Sequence, residues 1–281
     1  MPDDLTPSVP DYCQSILPIA PWAASATRRL PGIQPFGEKT PFLVDDAFAG
    51  QMAERDRLVA PRPDAVCADL PEAADALAEL DRMVLAALQA RPDYQIGDGF
   101  IRRPDGATVP TAGPVTHRLA RLVQEDLLIL EGQGGAAARL LAATLCFPAS
   151  WTLAEKIGRS MLRIHAPVDR YADDMARRVG RLFDALHPDR PLWRANYHLY
   201  GAPDLFAPRR EGQDRPVPAA GPHFIRVERQ TLHRLPETGA ILFGIHTFMV
   251  PVHSLTEDQR EGLRPFWRED AGSVWLSTEP A

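Results

Sequence analysis

The chain is poor in cysteine and nearly devoid of lysine. Its three cysteines, Cys13, Cys67 and Cys146, are far apart and form no CxxC pair. That spacing disfavours a disulfide framework and a zinc or iron–sulfur site. Lysine occurs only as Lys39 and Lys156, so arginine carries nearly all the positive charge. A net charge of −6, with no run of Lys or Arg, argues against nucleic acid as the main partner. No apolar stretch approaches the ~18 residues of a membrane span. The first residues lack a basic segment followed by an apolar run, so no signal peptide is expected. A soluble, cytoplasmic protein is the resulting expectation. The GxGxxG, Walker, HExxH and GxSxG signatures are all missing.

What is present supports a sizeable core. The 281 residues are 45% apolar, enough for one large domain or two small ones. Residues 1–45 are Pro-rich, with Pro7, Pro10, Pro18, Pro21, Pro31, Pro35 and Pro41 breaking any helix. This reads as an extended arm that wraps the surface or a partner, anchored by Phe36, Phe42 and Leu43. A short helix is predicted over 46–60. The clearest helix is 71–90, where Ala76, Leu77, Leu80, Val84, Leu85 and Leu88 fall at helical spacing. Loop and short strands fill 92–118. A helix end passes into a buried strand over 119–131, and a second buried strand covers 138–147. Helices are predicted over 151–165 and from Tyr171 to Leu186, then a strand over 192–200. A Pro-rich loop spans 203–220, a hairpin 223–250, and the tail contains a short helix. This order predicts an α+β fold, an antiparallel sheet with helices on one face. The arm is taken as 1–45, the main domain as 46–255 and the tail as 256–281.

The hairpin carries the strongest chemical signal. Strand side chains alternate faces, so Phe224, Arg226, Glu228, Gln230 and Leu232 share one face, and Ile225, Val227, Arg229 and Thr231 the other. Buried charges are expensive unless paired. The row Arg226, Glu228, Gln230 therefore either lies in solvent as a cross-strand salt bridge or lines a polar site for an ion or a haem propionate. His165 ends an apolar helical face formed with Ile157, Met161 and Ile164, just before Ala166-Pro167. It reads as a core histidine or as the axial ligand of a haem. Cys146 is a buried small hydrophobe, a thiolate ligand or a nucleophile. His246 shares a strand face with Gly244, and glycine in a strand marks close approach of backbone or ligand. His198, His223 and Asn196 are weaker candidates.

Taken together, the segments resemble the haem-dependent oxidative N-demethylase alpha-subunit family. The resemblance rests on Val123-Gln124-Glu125-Asp126-Leu127, Cys146-Phe147-Pro148 with Trp151, and Glu155-Lys156-Ile157-Gly158. It continues through Ile164-His165-Ala166-Pro167-Val168 with Tyr171, Arg226 to Leu232 and Thr238 to Phe243, in order, over about residues 30 to 255. It implies a PAS-like haem-binding fold and haem b. It also implies oxygen-dependent removal of a methyl group from a small amine such as dimethylamine, releasing formaldehyde. An NADPH-dependent reductase with flavin and an iron–sulfur centre would supply electrons, and tetrahydrofolate-binding subunits would take the formaldehyde. Under the resemblance His165 is the preferred axial ligand. The resemblance also implies that Arg226, Gln230 and His246 hold the haem, that Arg226 and Glu228 are the catalytic pair near the haem edge, with Arg226 a distal hydrogen-bond donor, and that Glu228 recognises the amine cation and accepts its proton. Two positions depart from the pattern. Ile245-His246-Thr247-Phe248 stands where Ile-Arg-Thr-Tyr is usual, and Asp169 stands where Pro is usual. The first bears on propionate pairing and substrate choice. A haem- or ligand-binding sensor without turnover is the alternative, as is a cofactor-free enzyme using Cys146.

Overall fold

A computed structural model of the chain describes residues 9–28, 32–133, 135–165, 173–213 and 223–264. Ten strands are described: β1 Gln34–Pro35, β2 Cys67–Asp69, β3 Gln95–Gly97, β4 Phe100–Arg102, β5 Thr108–Pro110, β6 Asp126–Leu130, β7 Leu140–Thr144, β8 Leu192–Tyr200, β9 Phe224–Arg234 and β10 Ile241–Pro251. The α-helices are α1 Ser25–Arg28, α2 Phe48–Val59, α3 Pro63–Val66, α4 Ala74–Gln89, α5 Val115–Ala120, α6 Leu153–Lys156, α7 Met161–His165, α8 Asp173–Ala185 and α9 Glu257–Leu263. The large sheet has seven strands in the order β1-β8-β9-β10-β6-β7-β2, every pair antiparallel. A small sheet holds β3, β4 and β5. The chain is therefore α+β, as its sequence predicts.

Helices cover both faces of the large sheet, not one. On one face Leu127, Ile129 and Leu242 pack with Met52, Leu80, Val84 and Leu119 from α2, α4 and α5. On the other, Leu128, Leu130, Leu232 and Ile245 pack with Leu153, Met161, Val179 and Phe183 from α6, α7 and α8. The reason lies in the strands. All five residues of β6 and all five of β7 are buried, so both sheet faces need a cover.

The predicted arm lies along the first face. Leu17 and Trp22 pack with Tyr197, Val227 and Phe248, and α9 closes this cluster through Leu263. Phe36 and Phe42 are buried as anchors. Each such aromatic or leucine is worth about 1.5–3 kcal/mol when fully buried, so the arm belongs to the core. One turn of helix, α1, forms despite the prolines.

The predicted helix over 151–165 is broken. Gly158 takes φ 73 between α6 and α7, a conformation that favours glycine. Its N–H donates to Leu140 O at 2.8 Å, and Met161 N donates to Ala138 O at 2.9 Å. The break is thus stitched to the start of β7, and Ile157 does not share a helix with Met161 and Ile164.

Candidate functional site

Register sets the site's polar wall. On the face covered by α6 to α8, β8 and β9 pair Arg194 with Gln230, Asn196 with Glu228 and His198 with Arg226. On the β10 side, Ile245, Thr247 and Met249 stand opposite Gln230, Glu228 and Arg226. Arg226 is 0% exposed, Glu228 6% and Gln230 9%, so this row is no solvated salt bridge.

The row is internally bonded. Arg226 Nη2 lies 3.1 Å from Glu228 Oε1. The same nitrogen donates to Phe147 O and, at 3.3 Å, to Thr247 Oγ1, while Nη1 donates to Leu205 O at 3.2 Å. Arg226 thereby ties the Cys146-Phe147 turn and the 205 loop to the sheet. Glu228 Oε2 accepts from Asn196 Nδ2 at 3.3 Å and from Gln230 Nε2 at 3.1 Å. A carboxylate offers about four acceptor positions, and three donors leave one for a further N–H. Asn196 Oδ1, Arg194 Nε and Arg226 Nε are buried without a hydrogen-bond partner. Buried polar atoms of this kind are completed by a ligand or an ordered water, and this wall offers three of them.

Beyond the polar row the same face turns aliphatic, through Leu232, Ile245 and Leu128 facing Met161, Ile164 and Val179. His165 is the last residue of α7, whose Met161 and Ile164 belong to this layer. Its side chain, with Pro167, Asp169 and Tyr171, lies outside the described residues.

The structure does not bring His246 to this wall. His246 pairs in register with Arg229, so it faces the other side of the sheet. There its Nδ1 lies 2.9 Å from Glu125 Oε1 and its Nε2 3.0 Å from Asp45 Oδ2. Burial alone would lower its pKa, but the bonds to Asp45 and Glu125 outweigh that and push it up to about 9. The Asp45 carboxyl is opposed by burial yet held below its usual range by His246, Gln124 and Gln14. The imidazolium thus bridges two carboxylates and pins the arm.

Cys146 packs with Cys67, Leu58 and Met249. Burial pushes its thiol well above the ordinary range, against partial opposition from Arg55. Burial likewise takes Cys13 and Cys67 to about 12. These are protonated packing thiols, not nucleophiles. His223 sits just before β9, where its N–H donates to Tyr200 O at 2.9 Å. At Gly244 an added Cβ would meet Thr231 Oγ1 at 2.8 Å, so the close approach expected there is to a neighbouring side chain.

Sequence reasoning missed three contributors: Arg194, Asp45 and Arg55. Alternation along β8 sets Arg194 in line with Asn196, and only the register brings it beside Gln230. Nothing local joins Asp45 to a histidine 201 positions away.

The fold and site define an α+β protein whose helix-flanked antiparallel sheet buries a guanidinium–carboxylate–amide row beside an aliphatic layer. Residues 32–265 match the model of the family described as haem-dependent oxidative N-demethylase, alpha subunit-like, and the chain belongs to that family. The family's description carries haem dependence and, in its "alpha subunit", a place in a multisubunit assembly. The described residues suit a haem in their chemistry: an aliphatic layer for the macrocycle, and Arg194, whose Nε is buried without a hydrogen-bond partner, for a carboxylate. Among the described residues no group of three His, Cys, Asp or Glu is placed to hold a bare metal ion, and no helix is long and apolar enough to cross a membrane.

Proposed function

We propose that the chain is the haem-bearing subunit of an oxygen-using N-demethylase acting on a small secondary amine of the dimethylamine kind, with haem b held through His165. The observation that carries this reading is the buried Arg226–Glu228–Gln230 row, completed by Asn196, on the sheet face shared with α7. When bound, the haem supplies oxygen activation, so that the methyl carbon leaves as formaldehyde, the second oxygen atom becomes water, and a reductase provides two electrons.

The chain's own residues do the rest. A small secondary amine is a cation at neutral pH, and its lone pair is free only after a proton leaves. Glu228 has one acceptor position remaining, and the amide N–H groups of Asn196 and Gln230 fix its Oε2. Glu228 therefore orients the ammonium N–H and receives its proton. Arg226 keeps the carboxylate in place from its other oxygen. The aliphatic layer excludes water from the methyl group, which strengthens each of these contacts. A PAS-like haem domain over 46–255, an NADPH-dependent flavin/iron–sulfur reductase and tetrahydrofolate-binding subunits complete the proposed system in the cytoplasm.

Two variants test it. His165→Ala is expected to abolish or shift the Soret band, and an unchanged haem spectrum would remove His165 as ligand. Glu228→Gln is expected to retain haem while amine oxidation falls by about 10²-fold or more, the usual scale for a lost acid–base group. Full activity in that variant would remove Glu228 from the mechanism.

A further inference from the structure

Arg194 stands apart from the other arginines. Among the described residues, every arginine that is not exposed donates a hydrogen bond to a carboxylate or a carbonyl, except Arg194. Arg194 is half-buried, and its Nε is buried without a partner. Burial opposes its charge, and Glu228, itself bonded to Arg226, offsets this only in part. The described wall therefore holds two guanidinium groups, Arg194 and Arg226, against one carboxylate, Glu228. Asn196 and Gln230 add donors to the same wall. A cation in this setting is costly until an anion meets it, and the planar fork of arginine matches a carboxylate with two parallel bonds.

We infer that Arg194 is the carboxylate-binding residue of this site. The inference rests on the functional reading above and adds a ligand group to it. The carboxylate has two possible sources: a propionate of the haem, or the carboxylate of an N-methyl amino acid bound as substrate. Either source balances the wall's charge. In the first case the wall then tolerates an amine cation at Glu228. In the second the same molecule brings both charges, its ammonium to Glu228 and its carboxylate to Arg194.

The test uses the full chain, haem-free, as wild type, Arg194→Gln and Arg194→Lys. Each is titrated with hemin and with hemin dimethyl ester, whose carboxylates are capped, following the Soret band. Each is also titrated calorimetrically with N-methylglycine and with dimethylamine. If the propionate is the ligand, Arg194→Gln weakens hemin at least tenfold, leaves the diester unchanged, and Arg194→Lys recovers most of the loss. If the substrate supplies the carboxylate, hemin binding is unchanged, N-methylglycine binding is lost in Arg194→Gln, and dimethylamine binding is not. Equal hemin and N-methylglycine affinities in wild type and Arg194→Gln overturn the inference. Absence of haem uptake by the wild type overturns the haem reading alone. The N-methylglycine titration then decides Arg194: Arg194-dependent binding supports it, and absent or Arg194-independent binding overturns it. A circular dichroism melt confirms that the lysine variant, which preserves the charge, is folded.

Discussion

His246 takes a position where the family resemblance anticipates arginine, and the structure gives it a different task. It bridges Asp45 and Glu125 on the sheet face away from the Glu228 row. Its folded pKa of about 9 lies above the ordinary value of 6.5. The stability it contributes is therefore fully present below pH ~6.5 and is lost as pH rises through about 9. A series of urea melts is expected to show a falling midpoint between pH 7 and 10, and the His246→Gln variant a much flatter profile over that range. His246→Ala leaves two buried carboxylates facing each other, at a cost of about 3–5 kcal/mol. An unchanged midpoint in that variant would show that the bridge does not hold the arm. At the same scale, Glu228 and Arg226 differ in kind. Arg226 has backbone acceptors on two loops as well as Glu228, whereas Glu228 keeps an acceptor position open.

Among the elements, the arm is the one that sequence and structure describe most differently. Its prolines announce an extended segment, and its docking depends on close backbone packing. A Cβ at Gly50 in α2 would lie 2.6 Å from the backbone of Asp11 and Tyr12. Gln14 then extends the contact, its backbone N–H donating to Met249 O at 3.0 Å and its side-chain Oε1 accepting from Met249 N at 2.7 Å. Gly50→Ala is expected to lift the arm, since backbone cannot yield as a side-chain tip does. Limited proteolysis checks this: cleavage near residues 11–15 should appear in the variant and not in the wild type. Equal resistance would mean that α2 shifts instead. The broken 151–165 helix shows the same lesson from the other side. Its apolar spacing is helical, but Gly158 and the bonds to Ala138 and Leu140 cut it.

At the scale of the molecule, one buried pair ties the layers together. Arg55 of α2 donates to Asp126 Oδ1 of β6 at 2.8 Å, and Asp126 also accepts from Cys146 N and Phe147 N. Phe147 O in turn accepts from Arg226. The helix on one face, the sheet and the loop at the polar row are thus one bonded unit. Arg55→Ala is expected to lower unfolding stability by about 3–5 kcal/mol. Tryptophan fluorescence and far-UV circular dichroism should lose signal in a single coincident transition. Separate transitions would mean that the two faces unfold independently.

The sequence by itself determined the elements that depend on local periodicity. The alternation of 224–232 places Arg226, Glu228 and Gln230 on one face, and the spacing of Leu77, Leu80, Val84 and Leu88 makes α4. It also carried the family, because the motif order survives along one chain. Tertiary structure alone decided whether that row is wet, which residues stand beside it and which face His246 occupies. Local spacing specifies what a strand presents, but not which strand lies next to it or which layer covers it. Those depend on register and on packing between segments far apart, as between His246 and Asp45. The burial that turns an ordinary charged hairpin into a candidate site therefore arises only in the folded chain, where the Cys146-Phe147 turn and the 205 loop bind Arg226 and α6, α7 and α8 pack on the aliphatic part of the same face.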